Sequence, residues 1–240
     1  MQEHFMAEVE SLKTNLIKMA SLVDEQVERA INSLATGNIE LCKGVKARDL
    51  EVDAYDNLIQ AQCENILALF QPVAEDLRFI ISALMINNQL ERCGDIAVNI
   101  AQRVKKIWKS IPQVNEFGSL IVETQINEMG KQARQMLKNA IDSFIYSDTQ
   151  LADSVIKNDE IVDNLNKQAF QILVSKMQSN NNLIEPAAHL IVLTRHIERL
   201  ADHATNIAED LVFYVEAKII SHKKKLQKLE KKESGEDQEL

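Results

Sequence analysis

Chain breakers are nearly missing from this sequence. It holds 6 glycines and 3 prolines in 240 residues, too few for the frequent tight turns of a strand-rich fold. Aromatic residues make up only 5%. The cysteines, Cys42, Cys63 and Cys93, are odd in number and form no C-x-x-C pair. Reduced thiols in a cytosolic protein are the simplest account. No apolar run approaches the roughly 18–20 residues of a membrane span. The N-terminus M-Q-E-H-F-M-A-E lacks a basic segment and an apolar one, so no signal peptide is expected. Positive charge is in deficit as well. The net charge of −9 argues against wholesale nucleic-acid binding and favours cations. A Gly-rich phosphate loop, a nucleophile elbow and a cysteine metal knuckle are all missing.

What is present is helix former: Leu, Ile, Ala, Glu, Lys and Gln in long unbroken stretches. The chain reads as all-α, with six long helices. The sparse breakers place them at about 4–35, 38–70, 72–109, 119–146, 148–177 and 184–220. Gly37 suits the residue that closes the first helix, and Pro72 suits the first turn of the third. Ser147 or Asp148 caps the fifth. The stretch 110–119 is the longest internal loop and the expected boundary between halves. This predicts a three-helix bundle over 1–112, a second over 113–220, and a charged tail over 221–240. The tail's lysines could touch an acidic membrane. Their mixture with acids makes a solvated tail the better reading.

The sequence repeats itself. Residues 91–101 read E-R-C-G-D-I-A-V-N-I-A and residues 198–208 read E-R-L-A-D-H-A-T-N-I-A, an offset of 198 − 91 = 107. A repeat of that length indicates a duplicated structural unit. The third helix carries an apolar stripe at helical spacing: Phe79, Ala83, Ile86, Leu90, Cys93, Ala97, Ile100 and Val104. The sixth carries its counterpart: Leu190, Leu193, Ile197, Leu200, Ala204, Ile207 and Leu211. Met129, Met136, Leu137 and Ile141 read as core in the same way.

Packing does not explain why the repeat keeps acids at i and i+4, Glu91/Asp95 and Glu198/Asp202. The preceding helices carry such pairs too, Asp49/Asp53 and Asp159/Asp163. Counted from a turn near residue 71, Asp53 lies 18 residues before and Glu91 20 after, with Asp49 22 before and Asp95 24 after. Counted from residue 181, Asp163 and Glu198 lie 18 before and 17 after, Asp159 and Asp202 22 and 21. At 1.5 Å per residue the paired acids fall within about 3 Å of one height. Four carboxylates converging in each half would repel and raise one another's pKa, and a cation would relieve that. Oxygen ligands suit Mg²⁺, Mn²⁺, iron or, less typically, Zn²⁺. Asn99 and Asn206, one turn further along, could add amide oxygens. The acids lie off the apolar stripe, so the sites should flank each bundle, partly solvated.

One acidic pair alone would be a solvated face. Two pairs at matching heights in both halves favour metal. Arg92 and Arg199 either orient the acids or are ordinary surface arginines. His189, His196 and His203 recur every seven residues, but their angular offset from the acids favours a structural or surface role. None forms the E-x-x-H pair of di-iron carboxylate enzymes. A carboxylate-bundle metalloenzyme and a metal-independent helical scaffold are the alternative classes. A histidine phosphotransfer domain has less support, because neither His196 nor His203 has a phosphoacceptor context.

These residues resemble the PhoU family of phosphate-transport accessory proteins and phosphate-regulon regulators. The resemblance covers about residues 5–218. It rests on P-V-A-E-D-L-R (72–78), L-E-R-C-G-D-I-A-V-N-I-A (90–101) and I-E-R-L-A-D-H-A-T-N-I-A-E (197–209). The sequence departs at P-A-A-H-L-I (186–191), which lacks the D-L-R of the first half, and Ala201 replaces Gly94. The resemblance implies two similar three-helix bundles whose eight acids bind multinuclear clusters, iron or zinc. It implies a non-enzymatic brake on phosphate uptake and starvation signalling. The implied partners are the ATPase of a phosphate ABC transporter and a phosphate sensor histidine kinase. A homodimer, cytoplasmic and peripheral to the membrane through its partners, is expected.

Overall fold

The computed structural model describes residues 2–110 and 114–218, apart from the side chains of 109, 110 and 114–116. The tail over 221–240 lies outside the described residues. Seven α-helices follow one another: α1 (Gln2–Thr36), α2 (Leu41–Phe70), α3 (Ala74–Ser110), α4 (Val114–Glu123), α5 (Ile126–Tyr146), α6 (Thr149–Ser179) and α7 (Ile184–Glu216). A single 3-10 turn (Asn181–Leu183) precedes α7. Among the described residues there is no strand. Helices α1–α3 pack as one bundle and α5–α7 as a second.

The helix ends obey local chemistry. Gly37 adopts φ +70°, and a Cβ there would stand 3.0 Å from the Trp108 ring. Asp148, not Ser147, caps α6, its Oδ1 accepting from the amides of Gln150 and Leu151 at 3.0 Å. Pro72 lies two residues ahead of α3 rather than within its first turn.

The expected fourth helix is two helices. Residues 114–119, read as loop, are helical, while 111–113 lie outside the described residues. The break falls at Thr124–Gln125, where Gln125 takes φ 52°. Thr124 Oγ1 donates back to the Leu120 carbonyl at 2.6 Å. The Thr124 amide keeps that carbonyl at 3.0 Å, so the helical ladder holds as far as Thr124, and Gln125 turns to the Val122 carbonyl at 3.2 Å. No glycine or proline marks the position.

Both stripes are buried, with every residue of the α3 and α7 sets at most 5% exposed. Met129, Met136 and Leu137 join the same core, with Ile141 packed against it. That core runs continuously through both halves. All three cysteines are unpaired and buried.

Two antiparallel seams join the halves. Along α3 and α7, Arg78 donates to the Tyr214 carbonyl and Ser82 to the Asp210 carbonyl, both at 3.2 Å. Further along, His203 Nδ1 donates to Gln89 at 2.6 Å, and Arg103 donates to His189 Nδ1 at 2.8 Å. As the α3 number rises, the α7 number falls. Along α1 and α5, Arg134 makes a two-pronged pair with Asp24, 2.9 Å on each prong, and a third contact of 2.9 Å with Glu28.

The repeat registers across both seams. Asp159 follows Asp49 by 159 − 49 = 110, and at that offset Arg134 is the counterpart of Asp24. Ser33 and Ser143, also 110 apart, bond back to the Ala30 and Ala140 carbonyls respectively. The duplicated units therefore meet through equivalent surfaces, as in an isologous dimer fused into one chain.

Asp210 is an anomaly in the α3–α7 seam. It is 8% exposed, and its Oδ2 has no hydrogen-bond partner. Burial, aided by Glu209, pushes its pKa up to about 7. A raised carboxyl stabilises the fold below its unfolded pKa and loses that contribution as pH rises through the folded value. Asp210→Asn should therefore be more stable than the parent at pH 8, by about 1–3 kcal/mol. The advantage should shrink toward pH 4. Urea denaturation at the two pH values checks this, and an equal effect at both would contradict it.

Candidate metal centre

Helix α2 presents Asp49 and Asp53 to the same side of α3 that carries Glu91 and Asp95. The intervening Val52 is buried between the helices, which fixes the rotation of α2. In the second half Val162 has that role between Asp159 and Asp163. The acids lie at the bundle flank, as their offset from the stripe requires. Asp53, Asp95 and Asp202 are exposed, and Asp49, Glu91, Asp159, Asp163 and Glu198 are half-buried.

Electrostatics shows which groups share a site. Burial raises the Asp49 pKa, with Asp53 and Asp95 adding to it and a Gln26 hydrogen bond opposing. Burial likewise raises Glu91, and Asp95, Asp56 and Asp53 add repulsion. Glu198 is raised by burial and then by Asp202, Asp163 and Asp159, with Arg195 opposing. Each half thus assembles its four expected acids within reach of one another's fields. Among the described residues, however, no three His, Cys, Asp or Glu side chains close on one point as a preformed metal cage.

The two sites lie at one level of the molecule. Gln89 faces His203 across the seam, so Glu91 falls within about 2 Å of the height of Asp202. His189 and His203 belong to the seam, and His196 lies between α6 and α7. His203 lies between Gln89 and the Arg92 and Arg199 charges, and its pKa falls to about 4, chiefly through burial. Asn206 also turns to the seam, donating to Gln89 at 3.3 Å. Asn99 is exposed.

Further contributors were not read from the sequence. Asp56 joins the first site, accepting from Asn87 at 2.6 Å and Gln60 at 2.8 Å. Its counterpart at the 110 offset is Asn166. Gln26 is fully buried on α1, donating to the Val45 carbonyl at 3.1 Å and toward Asp49 at 3.4 Å. Gly94 makes room for it: a Cβ there would stand 3.1 Å from Gln26 Oε1 and 3.7 Å from Asp49 Oδ1. The second half carries Met136 and Ala201 at these two positions, so glycine goes with the polar partner and alanine with the apolar one. The one legible signal for Gln26 was a polar residue inside the stripe Met19, Val23, Val27, Ala30.

The arginines differ between halves. Arg92 pairs with Glu91 at 3.4 Å and Asp95 at 3.7 Å. In the second half Arg195, not Arg199, holds the acid, 3.0 Å from Glu198 Oε1. The other oxygen, Glu198 Oε2, is buried without a partner, as are Gln26 Oε1 and Asn87 Oδ1. Buried oxygen atoms without donors beside mutually repelling carboxylates are groups whose charge a cation would balance.

The family model for the PhoU domain matches twice, over residues 16–104 and 126–211. The chain belongs to the PhoU family. A "phosphate-specific transport system accessory protein PhoU homolog" of Pseudomonas aeruginosa is 32% identical over 220 residues, covering 92% of this chain and 88% of the relative. The homologue of that name from Aquifex aeolicus is 36% identical over 215 residues, covering 90% and 94%. The crystal structure of PhoU from Pseudomonas aeruginosa superposes with a TM-score of 0.82 at 33% identity, covering 89% of this chain and all of that one. The PhoU from Streptococcus pneumoniae, a phosphate transport system regulatory protein, gives 0.79 at 25% identity, covering 90% and 99%.

Raised carboxyl groups have a measurable consequence. In metal-free protein, Glu91→Gln and Glu198→Gln should each add about 0.5–1 kcal/mol of stability at neutral pH. The sign follows from the upward shift: the native carboxyl is stabilising when protonated, and ionisation removes that contribution as pH rises. The gain should fade toward pH 4, where the parent is protonated too. Thermal melts in chelator at pH 4 and pH 7 test it; loss of stability in both variants at pH 7 would show these acids are held by attraction instead.

Proposed function

We propose that this PhoU protein is a metal-binding, non-enzymatic regulator that restrains phosphate uptake and phosphate-starvation signalling. The observation that carries the metal reading is the duplicated acid constellation, four interacting carboxylates in each half with an orphaned Glu198 oxygen in the second. Asp49, Asp53, Glu91 and Asp95 would hold cations in the first site, and Asp159, Asp163, Glu198 and Asp202 in the second. Asp56 is a further candidate in the first. Iron or zinc clusters suit the family resemblance, and manganese or magnesium suit the all-oxygen donors. A bound cation supplies positive charge that removes the repulsion among the acids. No step of bond making follows from these residues.

The regulatory half of the reading rests on family membership and on the relatives' role in phosphate-specific transport. The partners are the ATPase of the phosphate ABC transporter and the phosphate sensor histidine kinase, met at the cytoplasmic face of the membrane. A homodimer is the expected assembly. No described helix is long and apolar enough to cross a membrane, so membrane partners would supply that contact. Long helices offer the area required, since a standard interface needs only about 800 Å² per side.

Asp53→Ala with Glu91→Ala should abolish metal in the first site and spare the second, and Asp163→Ala with Glu198→Ala should do the converse. Elemental analysis of folded protein measures the stoichiometry, and unchanged metal in both double variants would refute the assignment. Deleting the gene should leave starvation genes active in high phosphate, and restoring the chain should silence them. A normal phosphate response in the deletion strain, with no second copy present, would refute the regulatory reading.

A further inference from the structure

The two halves differ on the outer face of their second and third helices. Between α6 and α7 lies a groove of about 550 Å³. Its walls carry Lys167, Arg195 and Arg199, and Phe170, Ile191 and Val192 line it between them. Phe170 is 51% exposed and Val192 36%. The flanking stretches 164–176 and 186–197 contain no Asp or Glu, in a chain that has 36.

The repeat supplies an internal control. At the offsets of 110 and 107, the counterparts of Lys167, Phe170 and Arg195 are Asn57, Gln60 and Asn88. Gln60 is occupied by Asp56, which it contacts at 2.8 Å. Ile191 and Val192 correspond to Leu84 and Met85, which are apolar as well. Bundle packing therefore accounts for the apolar positions on the inner helix. It does not account for the aromatic ring and the extra cations of the second half, because the first half packs without them.

We propose that the α6–α7 groove is a docking site for an acidic amphipathic helix of a protein partner. The chemistry selects that occupant. An exposed ring and aliphatic side chains between cationic walls match a helix with one apolar and one carboxylate face. The section of α7 from Ile191 to Arg199 spans about 12 Å, two helical turns. On a protein of net charge −9, an acidic partner would be repelled elsewhere and steered here. The proposal rests on the partner-binding part of the function above, and it adds the surface and the partner's chemistry.

Arg195 links the groove to the second acid site. It pairs with Glu198 at 3.0 Å while lining the groove. An acid on the partner competes with Glu198 for that guanidinium. Removing the Glu198 carboxylate by substitution frees Arg195 for the groove.

The test uses the full chain and three synthetic amphipathic helices: Leu/Glu, Leu/Lys and Leu/Gln. Calorimetry should show the Leu/Glu peptide binding more tightly than Leu/Gln. Lys167→Glu with Arg195→Glu, and separately Phe170→Glu, should weaken it at least tenfold. Asn57→Glu with Asn88→Glu should change it less than threefold. Glu198→Ala should strengthen it severalfold. Circular dichroism establishes that each variant is folded, and metal content is measured alongside. No binding, binding insensitive to the α6–α7 variants, or equal loss from the first-half variants would overturn the proposal. So would a dimer that becomes monomeric on Arg195→Glu, since a second copy would then cover the groove. Groove variants that keep both metals but fail to bind the peptide separate this proposal from the metal reading. Peptide binding in a protein whose deletion leaves phosphate signalling normal separates it from the regulatory reading.

Discussion

Everything in this molecule is arranged around the antiparallel packing of α3 on α7. The two apolar stripes are buried almost completely, and a single core runs through both halves. Burying a side chain of the Leu or Ile class contributes about 1.5–3 kcal/mol, so this seam outweighs any polar contact beside it. Its orientation has a consequence for chemistry. A helix with one face in the seam and a flank on its own bundle has a single remaining edge for carboxylates. The antiparallel register then sets those edges of α3 and α7 at the same height. The acids are where they are because the apolar residues leave them nowhere else.

The polar groups in the seam follow the same logic of duplication. Ser82 and His189 stand 189 − 82 = 107 apart, as do Arg103 and Asp210. Ser82 meets Asp210 while Arg103 meets His189, so one contact is the repeat of the other with changed side chains. The change is not neutral. Arg103 finds a ring nitrogen, whereas a carboxylate oxygen of Asp210 is buried without a donor. Equivalent positions in a pseudo-symmetric fold need not carry equivalent energies, and here one end of the seam holds a carboxyl poised near neutrality.

Most of the fold was legible because long amphipathic helices leave a strong period in the sequence. Counting residues from the two hairpin turns was enough to match the acids, because helix rise is fixed and the turns are short. The break at Thr124–Gln125 was not legible. A single left-handed residue at Gln125 leaves no trace in composition, and the period of the apolar residues runs through it. Asp56 and Gln26 were missed for a related reason. The reading searched for features shared by both halves, and Asp56 has no acidic counterpart, Asn166 standing there, while Gln26 has no polar one, Met136 standing there. Arg195 was missed because its counterpart is Asn88, which directed attention to the repeated pair Arg92 and Arg199.

The differences between the halves are thus as informative as the repeat. The first half carries acid and amide chemistry: Asp56 with Asn87 and Gln60, and the buried Gln26 seated against Gly94 beside Asp49. The second half seals the same interior positions with Met136 and Ala201 and opens its outer face into a cationic, aromatic groove. A symmetric ancestor would offer two equal surfaces and hence two equal sites for any partner. Divergence between the halves converts a pseudo-symmetric bundle into a directional one. Arg195, bonded to Glu198 while lining the groove, belongs to the acid site and to that surface at once.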